Sequence, residues 1–196
     1  KMDHPLKDIA LMATLPLLQG REMIDRSILQ VEKRLEEASR NLPTYDYCLN
    51  TRGLSPATLY AIVGEAPGIN FRSLLDFRFH HNLWKRFGLS CSIIDGKRQM
   101  KRLGADALIE GYSPQRRSVM WNIGATIVKV GGPYREVYDR CKVEEIEKAK
   151  SRGLTVVPSA KIPKGLEANY ISEGHIHNRA KRMMEKRILK TLWEKW

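Results

Sequence analysis

The sequence has few cysteines, no long apolar run, and none of the short motifs that mark the common nucleotide- and metal-dependent enzymes. Its three cysteines, Cys48, Cys91 and Cys141, show neither paired metal-ligand spacing nor the density of a secreted disulfide scaffold. Reduced thiols in an intracellular compartment, cytoplasm or an organelle matrix, are therefore expected. No stretch approaches the roughly 18 apolar residues needed to cross a bilayer, so a membrane partner is not expected. A glycine-rich loop ending in Lys-Ser or Lys-Thr is missing, as are the dinucleotide fingerprint and the histidine-glutamate zinc helix. His175 and His177 stand two apart and would diverge on a helix, and His80 and His81 are adjacent, so neither pair suits a metal. The acids of residues 22–37 and 136–147 are interleaved with bases, which argues against a two-metal nuclease within this chain. The chain opens on Lys1 without a signal-peptide pattern, and a processed product or part of a longer protein is expected.

What the sequence does have is positive charge. Its 196 residues carry a formal net charge of +12, and a cationic excess of this size favours a polyanion, because each phosphate contact releases condensed counterions. Nucleic acid is the first expectation; solubility alone, or an acidic lipid surface, would also use such a charge. The length suits one substantial core, or a smaller one carrying a helical arm.

The apolar positions Ile24, Ile28, Val31, Leu35, Ala38 and Leu42 advance by alternating steps of four and three, the seam of a coiled coil or helical hairpin. Residues 1–43 are read as a helical arm closed by Pro43, with Leu6 to Leu18 a separate helix that Pro16 kinks or ends. The seam over 20–42 implies either a homo-oligomer or packing on its own domain. Residues 44–152 are read as a helical core. It begins with a short helix, the turn Arg52-Gly53-Leu54-Ser55-Pro56, and a second helix near Ala57: a helix-hairpin-helix pattern in which Gly53 permits the turn, and Ser55 and Thr58 lie where free amides could meet a phosphate. A plain helix connection fits the same residues.

A helix over Ser73–Phe87 ends at Gly88, and residues 89–112 read as a loop or short hairpin carrying Lys97, Arg98, Lys101 and Arg102. Ser113-Pro114 starts a helix bearing Arg116 and Arg117, with Val119, Met120, Ile123, Ile127 and Val130 as its buried face. Ser113 is either a cap or a nucleophile whose phosphoryl charge the helix dipole and two guanidinium groups would stabilise. After Gly131-Gly132-Pro133 comes a helix from about Tyr134 to Arg152. Residues 153–171, with Pro158 and Pro163, read as a flexible loop. Residues 172–196 read as a basic helix with Arg179, Lys181, Arg182 and Lys186 among its cations, and Ile176, Ala180, Met183, Leu189, Leu192 and Trp196 as its docking face. The fold class expected is mostly α: a long helical or coiled-coil arm followed by a helix-hairpin-helix-containing helical domain.

The order of several short motifs is similar to one family. Gly53-Leu54 with Pro56 and Thr58, then Phe71-Arg72-Ser73, Leu83-Trp84 to Gly88-Leu89, Tyr112-Ser113-Pro114, Arg117-Ser118, Trp121-Asn122-Ile123-Gly124, Tyr134-Arg135 and Tyr138-Asp139 resemble the C-terminal half of the Piv-type insertion-sequence transposases. The resemblance spans roughly residues 20–196. It implies a serine recombinase that works on DNA with a structured guide RNA, and whose Mg2+ is held by a DEDD domain that this chain does not contain; no cofactor is expected in the chain itself. The family's Ser-Ser-Gly-Gly-like segment is replaced here by Ser90-Cys91-Ser92, so Ser92, Ser90 and Ser113 are the candidate nucleophiles. The resemblance leaves two functional expectations. One is a nucleic-acid-binding part or derivative of a transposase, with Gly53, Ser55, Thr58, Lys97, Arg98, Lys101, Arg102, Arg116, Arg117, Arg179, Arg182 and Lys186 at the interface. The other is a non-catalytic, transposase-derived RNA-binding component of a large ribonucleoprotein particle.

Overall fold

A computed structural model describes residues 5–66, 80–94, 97–100 and 113–196. The architecture is mostly helical, and its longest element is α1, Pro5–Ser39. Pro16 lies inside α1 rather than ending it. A proline removes one backbone N–H donor, and with it one helix hydrogen bond, and crowds the preceding turn, but Met12, Leu15, Leu17 and Leu18 around it are strong helix formers, and the helix continues. The stop comes at Ser39, before Pro43: the Ser39 hydroxyl donates to the Glu36 carbonyl at 2.7 Å, and Leu42 N–H returns to Ser39 O. The C-terminal part of α1 packs on α3, where Glu32 and Glu36 lie close enough to Tyr60 to add to the upward push that burial exerts on its hydroxyl pKa.

Two short helices follow, α2 (Tyr45–Asn50) and α3 (Pro56–Glu65). Ser55 caps α3 by accepting the Thr58 amide at 3.2 Å, with Pro56 at the first helical position where its missing N–H does no harm. Cys48, Leu59 and Ile62 point into the core with no exposed surface. Next come α4 (His80–Arg86) and an antiparallel hairpin of β1 (Cys91–Ile94) and β2 (Lys97–Met100), registered Cys91 to Met100 and Ile94 to Lys97. The end of α4 is closed by two bonds, Leu89 N–H to Trp84 O and Gly88 N–H to Lys85 O, the pairing that satisfies orphan carbonyls at a helix C-terminus.

The body is completed by α5 (Pro114–Val130), α6 (Pro133–Ser151) and α7 (Glu173–Lys195). The last helix is central, since it touches α4, α5 and α6, and it packs most extensively on α6. Its buried line is Ile176, Ala180, Met184, Ile188, Leu189 and Leu192. Met183, expected on this face, is 49% exposed and Met184 takes its place, which rotates the contact stripe toward Lys181 and Glu185. On α5 the buried positions are Met120, Gly124 and Ile127, and Val130, expected inside, is 45% exposed.

Residues 153–171 hold more order than a loop. The β-branched run of β3 (Thr155–Val157) pairs in parallel with β4 (Tyr170–Ser172), and two short 3-10 turns, Ser159–Lys161 and Glu167–Asn169, lie between them. The second strand delivers Ser172 to cap α7 by accepting the His175 amide at 3.1 Å.

Candidate nucleic-acid interface

The two basic helices expected to meet phosphate, α5 and α7, also pack against each other. Where they cross, Glu185 is fully buried, and its Oε2 accepts from Arg117 Nη1 at 2.7 Å. Lys181, one turn earlier on α7, is 1% exposed; its Nζ donates to the Trp121 carbonyl at 3.0 Å and sits 3.0 Å from the centre of the Trp121 ring. Arg117 also approaches that ring, at 5.6 Å. Arg182 turns to β1, where its Nη1 lies 3.9 Å from Cys91 Sγ. Three cations thus share one carboxylate in a seam that the alternation of charge on each helix, taken separately, does not reveal.

Gly124 is what lets the seam close. A Cβ there would stand 2.7 Å from Glu185 Oε1 and 3.2 Å from Lys181 Cγ. Desolvation dominates the electrostatics. Burial pushes the Lys181 ammonium down to about 8, with Arg117 adding to the effect and Glu185 opposing it. Burial also raises the Glu185 carboxyl above its ordinary range, against the pull of Arg117, Lys181 and Arg182. In this seam two buried polar atoms, Glu185 Oε1 and Arg182 Nε, have no hydrogen-bond partner among the described residues.

The other expected contact residues have structural duties of their own. Arg116 Nε donates to Arg86 O at 3.2 Å, and Arg179 pairs with Glu145 at 3.2 Å. Lys186 lies over the Trp84 ring at 5.1 Å, while the Lys186 carbonyl accepts the Trp84 indole N–H at 3.0 Å. Gly53 belongs to a tight corner: its φ is +91°, and a Cβ on it would stand 2.8 Å from Gly131 O, so that face of the turn meets the α5–α6 turn. Ser55 and Thr58 are 3.3 Å apart through their hydroxyls, within the cap of α3.

Of the candidate nucleophiles, Ser113 accepts the Arg116 amide at 3.4 Å and thereby caps α5. Ser90 is half-buried just before β1, and Ser92 lies in β1 opposite Gln99. Lys97 and Arg98 belong to β2, and Lys101 and Arg102 lie outside the described residues. No group of three metal-ligating side chains occurs among the described residues, and no helix there is long and apolar enough to cross a membrane.

The exposed cations lie elsewhere. Lys150, Arg152, Lys161 and Lys164 cluster in sequence at the end of α6 and in the β3–β4 crossover, and Arg52, Lys85, Lys129, Arg140, Arg187 and Lys195 are exposed on other elements of the body. The arm contributes nothing to the excess: the acids Asp8, Glu22, Asp25, Glu32, Glu36 and Glu37 outnumber by one the bases Lys7, Arg21, Arg26, Lys33 and Arg34. Sequence reasoning missed Lys181, Glu185, Trp121 and Gly124 as one unit. The available signal was the four-residue spacing of Lys181 and Glu185, which puts an acid and a base on one face of a helix whose apolar stripe is narrow. Protein-family models, curated proteins and solved structures were all searched, and none matches this chain.

Proposed function

We propose that the chain binds the phosphate backbone of DNA or structured RNA through the exposed cations of its body, as a part or a derivative of a Piv-type transposase that acts on DNA with a structured RNA. The observation that supports this reading best is the division of charge. The arm is close to neutral while the whole net charge of +12 resides in the remainder, so counterion release is concentrated on one part of the molecule. The contact set differs from the one expected from sequence. Arg117, Lys181 and Arg182 hold the α5–α7 seam, and phosphate contact falls to Lys150, Arg152, Lys161, Lys164, Arg187 and their exposed neighbours.

A second reading, a non-catalytic RNA-binding component of a ribonucleoprotein particle, is favoured by what Ser113 and Arg117 do. The Ser113 hydroxyl accepts its own helix's amide and Arg117 is committed to Glu185, which gives each a structural duty that needs no phosphoryl transfer. Equilibrium binding of the chain to a folded RNA and to a duplex DNA of equal length separates these readings. Tighter binding to RNA by tenfold or more, about 1.4 kcal/mol, favours the ribonucleoprotein role. Comparable and tight binding to both favours the recombinase lineage. Equal and weak binding to both removes the nucleic-acid proposal.

The arm's partner in this reading is a second copy of the arm. Leu17, Ile24, Ile28, Val31 and Leu35 are between 40% and 74% exposed along one seam, and an open groove of about 470 Å3 is lined by Met23, Ile24, Ser27, Ile28, Val31 and Glu32. A parallel pair would set Asp25 and Glu32 beside the partner's small Gly20 and Ser27 positions, whereas an antiparallel pair would bring acids together. The expected result is a dimer in sedimentation at tens of micromolar that Ile28→Glu converts to a monomer with unchanged helix content. A wild-type monomer at those concentrations removes the pairing.

A further inference from the structure

We propose that the α5–α7 seam is a pH-sensitive joint, in which loss of the Lys181 proton tightens the packing of α5 on α7. The geometry carries it. Lys181, Arg117 and Arg182 converge on Glu185, which is fully buried and already committed to Arg117 through Oε2, while Glu185 Oε1 and Arg182 Nε have no partners among the described residues. A seam with three cations and one carboxylate retains uncompensated positive charge in a medium where charge is poorly solvated.

Each neighbouring element contributes to that imbalance. From α5 comes Arg117; β1 supplies the Cys91 thiol, 3.9 Å from Arg182; α7 itself supplies Arg182, Glu185 and His177. Lys142 of α6 joins Lys181 in lowering the His177 pKa below its ordinary value, after burial, and His177 Nδ1 is 2.7 Å from the Tyr138 hydroxyl. Burial holds the Lys181 ammonium below its ordinary range, and it can shed its charge without losing its anchor: a neutral amine still donates to the Trp121 carbonyl.

The sign follows from linkage. Below about 8 both the folded and the unfolded chain hold the Lys181 proton, and the folded seam bears the repulsion. Between about 8 and the ordinary value of 10.5 only the unfolded chain holds it, so stability climbs with pH through that window. The raised Glu185 pKa acts at lower pH: its contribution is fully present below its ordinary range and is lost as pH rises through the folded value. The seam is therefore loosest near neutrality.

The test follows the Trp121 indole N–H resonance of the intact chain by NMR, assigned by comparison with Trp121→Phe. The joint predicts a single titration with a midpoint near 8 that is absent from Lys181→Met. A midpoint near the ordinary lysine value, or the same titration in Lys181→Met, overturns it. Thermal unfolding of the unaltered chain gives a second readout should Lys181→Met not fold: the midpoint temperature rises between about pH 7.5 and about pH 9.5 if the joint exists, and a flat or falling trend contradicts it.

Discussion

Glu185→Leu lowers the stability of the folded chain by about 3–5 kcal/mol in a urea titration, among the largest losses expected for a single substitution in this molecule. Among the described residues this carboxylate is the one anion of the seam, it is fully buried, and leucine takes away the oxygen that accepts from Arg117 and leaves that guanidinium unpaired beside Lys181 and Arg182. The same change on the surface would be nearly silent, because exposed ion pairs contribute about 0–1 kcal/mol. The loss is also expected to be strongly non-additive. In an Arg117→Met/Glu185→Leu double variant, which takes away one cation with the anion, the deficit shrinks relative to the sum of the single changes, as it does when charged groups are replaced as a set. A Glu185→Leu variant within about 1 kcal/mol of the unaltered chain would mean that the seam is solvated and that its charges are ordinary surface charges.

Gly132→Ala is the second large effect, expected at about 4 kcal/mol from the sum of backbone strain and a steric overlap that cannot relax. Gly132 adopts φ +103°, and a Cβ there would collide with the backbone carbonyl of Arg52. On the other side of the same corner, Gly53 stands against Gly131 O. Two turns far apart in sequence therefore meet backbone to backbone, joining the α2–α3 connection to the α5–α6 connection. The contrast is Gly20→Ala in the middle of α1, where nothing lies within 4 Å; there the better helix former adds up to about 1 kcal/mol. Denaturant midpoints of the two variants should move in opposite directions. A Gly132→Ala variant as stable as the unaltered chain would show that the corner is not close-packed.

That corner also marks where sequence was informative and where it was not. Proline and glycine punctuation, with serine caps, placed α3, α5 and α7 within a residue or two, because Ser55-Pro56, Ser113-Pro114 and Ser172 act on their own helices through local hydrogen bonds. The same local reading assigned Gly53 to phosphate approach. It held no information about Gly132, whose close approach to the Arg52 carbonyl depends on the packing of elements about eighty residues apart. The parallel pairing of β3 and β4 was hidden for a related reason: three-residue strands are too short to show alternation, and their register is set by where α6 ends and α7 begins.

The site shows the larger gap. Arg117 and Arg182 looked like phosphate ligands, since each sits among other cations on its own helix, and charge along one helix says nothing about the partner helix. Their counter-ion, Glu185, was visible only as a minority acid in a basic segment. A small residue on α5 and an acid on α7 become meaningful when the two helices cross at Gly124. In the proposed function the phosphate contacts therefore move to other cations.

The most direct test of this account is the salt dependence of binding between the full chain and a folded RNA. With the excess charge exposed on the body and about four phosphates contacted, the association constant should fall roughly a hundredfold between about 50 and about 200 mM monovalent salt. A change of less than about threefold across the same range would contradict the central claim, and would mean that the cations outside the seam serve solubility and not a phosphate backbone.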